Sequence, residues 1–262
     1  MTDQQIHRVA VTNLRKSFST DNGSLTVLDG IDVRVAQGEF ISIIGPSGCG
    51  KSTLFNIVAG LELPDEGGIT VDGRPATGQP EHFAYMPQQD LLLPWCRVAD
   101  NASLGLQIQG VPKREARKAA VDLLPVFGLE GFERARPSEL SGGMRQRVAL
   151  MRTVMQNRDV LLLDEPFGAL DSLTRMQMQS WLTDVWEQYH WTVILITHDI
   201  KEAVFLSDRV YILGPRPTRV VSEHVITLPR PRRAEALASP EAARLEGELL
   251  DALSITHRTA TR

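Results

Sequence analysis

Gly45-Pro46-Ser47-Gly48-Cys49-Gly50-Lys51-Ser52 follows the spacing G-x-x-x-x-G-K-S, a pattern with which a chain wraps phosphate. The backbone N–H groups of such a loop converge on one point. The dipole of the helix that follows, entered through Lys51, Ser52 and Thr53, adds positive potential there. Lys51 contributes a mobile charge for β- and γ-phosphates, and Ser52 a hydroxyl for Mg²⁺. Further on, Val160-Leu161-Leu162-Leu163-Asp164-Glu165 ends a buried run on two adjacent carboxylates. Asp164 is placed to bind Mg²⁺, directly or through water, and Glu165 to polarise an attacking water as general base. A third segment, Leu140-Ser141-Gly142-Gly143-Met144-Arg145-Gln146, offers the Ser141 hydroxyl and the close-approaching amides of Gly142 and Gly143 just before a helix. That is a second anion-binding helix N-terminus in one chain.

The elements that must position these groups read as α/β. Val9, Val11 and Leu14, then Ile31, Val33 and Val35, alternate as half-buried antiparallel strands around a polar turn at Asp21-Asn22-Gly23. Phe40-Ile41-Ser42-Ile43-Ile44 reads as a buried strand entering the phosphate loop, and residues 52–59 as a helix stopped by Gly60. Short apolar runs at 160–163, 192–196 and 210–213 predict parallel core strands, separated by helices over 172–189 and 200–206. Between about residues 91 and 136 the strand signal disappears, and the charged, Ala/Leu-rich stretch 112–126 predicts a helical insertion. Residues 145–156 continue as a helix leaving the Gly pair. After Pro229-Arg230-Pro231-Arg232-Arg233, Leu245, Leu249 and Leu253 recur every fourth residue and predict a last helix. That helix packs an apolar stripe on its own domain or serves as a regulatory contact.

With 262 residues, 42% hydrophobic and 23% charged, the chain has the composition of a globular protein with a sizeable core. A net charge of −4 gives no general pull toward nucleic acid or an anionic membrane. No run approaches the ~20 apolar residues of a membrane span, and the polar start Met1-Thr2-Asp3-Gln4-Gln5 lacks a signal-peptide pattern. The two cysteines are Cys49, inside the phosphate loop, and Cys96, so a reducing cytoplasm is expected. Cys49 reads either as a thiol of lowered pKa opening a helix or as a small buried filler. His7, His82, His190, His224 and His257 show no metal-ligand spacing.

Taken together, the chain resembles the ATP-binding subunit of an ABC transporter over about residues 7–228. Residues 140–146 are similar to the family signature, and Ala169-Leu170-Asp171 to the loop that communicates across a dimer. Thr197-His198-Asp199 is similar to the switch region, Gln88 falls at the glutamine-loop position, and Phe18 at the aromatic that stacks on adenine. The resemblance implies a phosphate-loop NTPase core, RecA-like with a mostly parallel sheet, an N-terminal antiparallel β subdomain and a helical insertion. The domain would span 1–229, its helical subdomain about 91–155, with 230–262 a C-terminal extension and tail. It implies ATP and Mg²⁺ as ligands, the metal on Ser52, Gln88 and Asp164. His198 would contact the γ-phosphate, and Lys51, Gln88 and Glu165 would join it in catalysis. It also implies a homodimer sandwiching two ATPs, in which Ser141, Gly142, Gly143 and Asp171 of one copy serve the nucleotide of the other.

Gln89-Asp90-Leu91-Leu92-Leu93-Pro94-Trp95 is similar to the nitrate/sulfonate/taurine group of importers, which also handles pyrimidine precursors. That implies two integral-membrane permease subunits, an extracytoplasmic solute-binding protein, no nucleic acid, and a place on the cytoplasmic face of the membrane. Trp95 either packs in the helical subdomain or meets a partner's coupling helix. An ABC exporter ATPase is the runner-up, and a soluble ABC ATPase outside transport a more distant one.

Overall fold

The computed structural model describes residues 7–259, apart from Asn22, Asp159 and Ala169; the side chains of Ala234 and of 255–259 are also outside the description. The predicted turn residue Asn22, Ala169 of the loop expected to communicate across a dimer, the first five residues and the His257 side chain therefore lie outside the described set.

Alternation at the N-terminus builds a long hairpin. β1 (Val9–Thr20) and β2 (Gly23–Val35) pair antiparallel with Val9 opposite Val35 and Val11 opposite Val33, and these alternating apolar residues are buried. β3 (Phe40–Ile44) is buried throughout and runs into the Gly-rich loop, from which α1 (Lys51–Val58) leaves. β4 (Glu66–Val71) returns to pair with β1, and the short β5 (Arg74–Pro75) edges it. β6 (Phe83–Met86) enters a second sheet. The insertion is helical as expected, with α2 (Val98–Ala102), α3 (Leu104–Ile108) and α4 (Lys113–Leu123). α5 (Gly142–Val154) then leads to β7 (Val160–Asp164), α6 (Ser172–Tyr189), β8 (Thr192–Ile196), α7 (Ile200–Leu206) and β9 (Arg209–Leu213). β10 (Val220–Val225) and α8 (Pro240–Thr259) close the chain.

The antiparallel sheet runs β2-β1-β4-β5, and the six-stranded sheet β10-β9-β3-β8-β7-β6. The latter is parallel except for β10. Continuous apolar runs suit β3, β7 and β8 because both faces of a parallel sheet are covered. Ile43 and Asp164 both stand beside positions of β8 at its end, each in register with Ile196. The C-terminal ends of β3, β7 and β8 thus open side by side, the edge where open α/β sheets carry their ligands.

One expectation shifts. α5 starts at Gly142 rather than 145, because the Ser141 hydroxyl accepts from the Met144 N–H at 3.3 Å and caps the helix, drawing both glycines into its first turn. Of the two readings of the last helix, packing of its apolar stripe on its own domain is what the structure has: Ala242, Leu245 and Leu249 share one cluster with Ala203, Val204, Val210 and Ile212 of α7 and β9. Arg232, 1% exposed, donates to the carbonyls of Val204, Phe205, Ser207 and Leu228, closing the C-terminal end of α7. Its burial pushes the guanidinium down to about 10.

Candidate nucleotide site

The loop after β3 needs its glycines. Gly48 and Gly50 have φ of +73° and +116°, and a Cβ on Gly50 would stand 2.6 Å from Val27 Cγ1. Gly45 passes so close to Leu213 that a Cβ there would lie 3.0 Å from it. Lys51 Nζ donates to the carbonyls of Gly45 (2.8 Å) and Pro46 (3.0 Å), folded over the mouth of the loop. Ser47, Gly48, Gly50, Lys51, Ser52 and Thr53 line a cavity of about 320 Å³ with Gln88, Asp164 and Glu165. Cys49 is buried behind it, and burial pushes its thiol up rather than down. Of its two readings, the filler stands.

The acids face this cavity from the end of β7. Burial, and then the charge of Glu165, push Asp164 up to about 6, while the Tyr85 hydroxyl 3.5 Å away and Lys51 oppose the shift. Burial pushes Tyr85 in turn up to about 12. Glu165 has φ +45°, a left-handed conformation that costs a non-glycine residue energy and is typical of functional positions. Its N–H donates to Ile196 O at 2.9 Å, so the end of β8 holds the strained turn in place. Gln88 Nε2 donates to Glu165 Oε2 at 3.0 Å, and His198 Nδ1 lies 3.3 Å from the same oxygen. Three segments far apart in sequence therefore meet on one carboxylate. The arrangement can orient a water and accept its proton.

Two adjacent carboxylates in a partly desolvated wall, opposed by Lys51, are a setting that a cation relieves. The Ser52 hydroxyl, the Gln88 amide oxygen and Asp164 are hard oxygen donors of the kind Mg²⁺ prefers. Among the described residues no group of three or more His, Cys, Asp or Glu could hold a metal by itself. The donor set thus fits an ion that fills its remaining positions with phosphate and water.

The other predicted residues lie apart from the loop cavity. Phe18, 36% exposed on β1, has Lys16 Nζ 5.3 Å from its ring centroid. Gly142 lines a second cavity of about 690 Å³ with Gln88, Arg145, Gln146, Glu165 and His198. Ser141 and Gly143 frame the start of α5 beside it. Asp171 caps α6, its carboxylate accepting from Leu173 and Thr174 N–H at 3.1 Å; hydrogen bonding from the Thr174 side chain first, and then from these N–H groups, holds its pKa below the usual range.

Several contributors were not legible beforehand. Tyr85 behind Asp164 and Arg216 in the loop cavity carried no local signal. Asp90 binds Arg145 at 3.2 Å and offers its carbonyl to Arg152, fastening the segment after Gln88 to α5. Buried Asn101 holds Leu93 by both backbone groups, at 2.8 and 3.1 Å. Trp95 therefore projects from an anchored turn and is 71% exposed, which removes its reading as a core residue.

A phosphate-wrapping loop after β3 and an acid pair at the end of β7, the two strands that flank β8 in the parallel run, with a helical insertion carrying a second Gly-rich helix start, define a phosphate-loop ATPase. The ABC transporter family profile matches residues 28–168, and the chain belongs to that family. It is 43% identical over 219 residues to the nitrate import ATP-binding protein NrtD of Synechocystis sp., covering 84% of this chain and 82% of that protein. It is 44% identical over 225 residues to the taurine import ATP-binding protein TauB of Burkholderia thailandensis, covering 86% and 84%. The dimeric structure of a post-hydrolysis state of the ATP-binding cassette MJ0796, bound to ADP and Pi, matches with a TM-score of 0.74 at 31% identity, covering 83% of this chain and 98% of that one.

Proposed function

We propose that this chain is the ATP-hydrolysing subunit of an ABC import complex that drives uptake of a small solute of the nitrate, sulfonate or taurine kind, or a pyrimidine precursor. The observation that carries the catalytic part is Glu165 at the cavity wall, held by Gln88 and His198 through one oxygen. The amides of residues 45–52 and Lys51 would bind the β- and γ-phosphates, and Phe18 would stack on adenine. Ser52, Gln88 and Asp164 would hold Mg²⁺, which supplies charge neutralisation at the phosphate oxygens. Glu165 takes a proton from the attacking water as its oxygen bonds the γ-phosphorus and the bond to the bridging oxygen of ADP breaks. His198 steadies the γ-phosphate. Ser141, Gly142, Gly143 and Asp171 of a second copy close the site, so turnover belongs to the dimer.

Transport needs further chains: two integral-membrane permease subunits and an extracytoplasmic solute-binding protein, with this subunit on the cytoplasmic face. Among the described residues no helix is long and apolar enough to cross a membrane, which supports assigning the spanning to those chains. The reading is tested by ATP hydrolysis and solute uptake in vesicles carrying the whole complex. Uptake should require ATP and vanish in Lys51→Ala together with tight nucleotide binding. Unchanged affinity and uptake in that variant, or solute moving outward, would contradict the proposal.

A further inference from the structure

We propose that Arg216 is a second cationic contact for the nucleotide phosphates, supplied from the loop between β9 and β10. The guanidinium lines the same cavity as Ser47, Gly48 and Lys51. Its Nη2 stands 3.8 Å from the place a Cβ on Gly48 would occupy, so it lies directly over the Gly-rich loop.

An arginine on a free loop would mean little, but this loop is fastened to the phosphate loop itself. Thr218, two residues on, is fully buried, and its hydroxyl donates to the carbonyl of Cys49. Its N–H donates to Val27 O and its carbonyl accepts from Asp29 N–H, both at 2.9 Å, which ties the loop to β2 as well. Gly214 N–H closes the base of the loop on Arg219 O at 3.0 Å. Whatever fixes residues 45–52 therefore also fixes the backbone that carries Arg216.

The pairing of the neighbouring arginines sharpens the point. Arg209 binds Glu39 and Glu223, and Arg219 binds Asp29. Arg216, among the described residues, pairs with no carboxylate. A guanidinium presents a planar fork of donors that matches two oxygens of a phosphate, a geometry the single ammonium of Lys51 does not offer. Set over Gly48, it adds a positive charge to the cavity that Asp164 and Glu165 also line, and favours an anionic occupant beside the loop.

This inference rests on the nucleotide reading above. Titration of the purified full chain with ATP and with ADP tests it. Arg216→Ala should weaken both by about tenfold or more, the worth of one charge-assisted bond, and Arg216→Lys should recover part of the loss. The melting temperature without nucleotide should stay that of the wild type. Wild-type affinity in Arg216→Ala would overturn the inference and leave the nucleotide reading intact. A matching drop in nucleotide-free melting temperature would overturn it too, by making the residue structural. Absence of ATP binding by the wild-type chain would instead remove the reading on which it stands.

Discussion

Glu202 shows how the segment between β8 and α7 that carries His198 is built from beneath. It opens α7 four residues after His198, is 4% exposed, and among the described residues its Oε1 has no hydrogen-bond partner. Burial, and then the charge of Asp199, push it up to about 8, against Thr197, Arg175 and Gln179. The sign of the linkage follows. An acid whose folded pKa exceeds the unfolded 4.5 binds its proton more tightly when native, so the native state loses stability as pH rises from about 4.5 to about 8. Glu202→Gln stays neutral across that window. Thermal melting of the two proteins from pH 5 to pH 8 should show the variant losing less, so that its melting temperature gains on the wild type as pH rises. Parallel profiles would show that Glu202 does not titrate in this range.

Secondary-structure elements divide into those their own residues announce and those only the fold creates. α6 and α7 begin and end where the sequence places them because an aspartate stands at each start: Asp171 and Asp199 accept the first free N–H groups of their helices. The phosphate loop and the acid pair were equally legible, since local spacing carries their chemistry. β4 and β6 were missed because one opens on Glu66-Gly67-Gly68 and the other is four residues long, both specified by the strands beside them. β10 was missed because as an edge strand it buries little of either face. The meeting of Gln88, Glu165 and His198 on one oxygen is a product of strand order, which the motifs implied by resemblance and no single window contains.

Trp95 projects from the Asn101-anchored turn, so Trp95→Ala should leave melting within about 0.5 kcal/mol of wild type. It should also weaken pull-down of the membrane subunits, at a cost typical of an interface anchor, about 2 kcal/mol. A large melting loss with normal assembly would overturn the partner role. The C-terminal helix makes the opposite case. Leu249 is fully buried against α7 and β9, and Leu249→Ala should cost about 2–5 kcal/mol in chemical denaturation. A cost near zero would mean that α8 does not share the main core.

The described residues include two Gly-rich helix starts, at 45–52 and 141–143, and the acid pair Asp164-Glu165. Residues 45–52 and Glu165 face one cavity, while Ser141 and Asp171 stand exposed at the starts of α5 and α6. In the proposed dimer a second copy would bring such groups onto a nucleotide held by the loop, and ATP would become part of the contact between copies. Substituting the general base should trap that state, because Glu165→Gln keeps the shape of the side chain and loses its basicity. The most direct measurement is therefore light scattering of purified Glu165→Gln during size-exclusion chromatography with and without Mg²⁺ and ATP. A stable dimer with ATP, a monomer without it and turnover reduced by about 10²-fold or more are expected. A variant that stays monomeric with ATP and hydrolyses it at the wild-type rate would contradict both the role of Glu165 and the shared site.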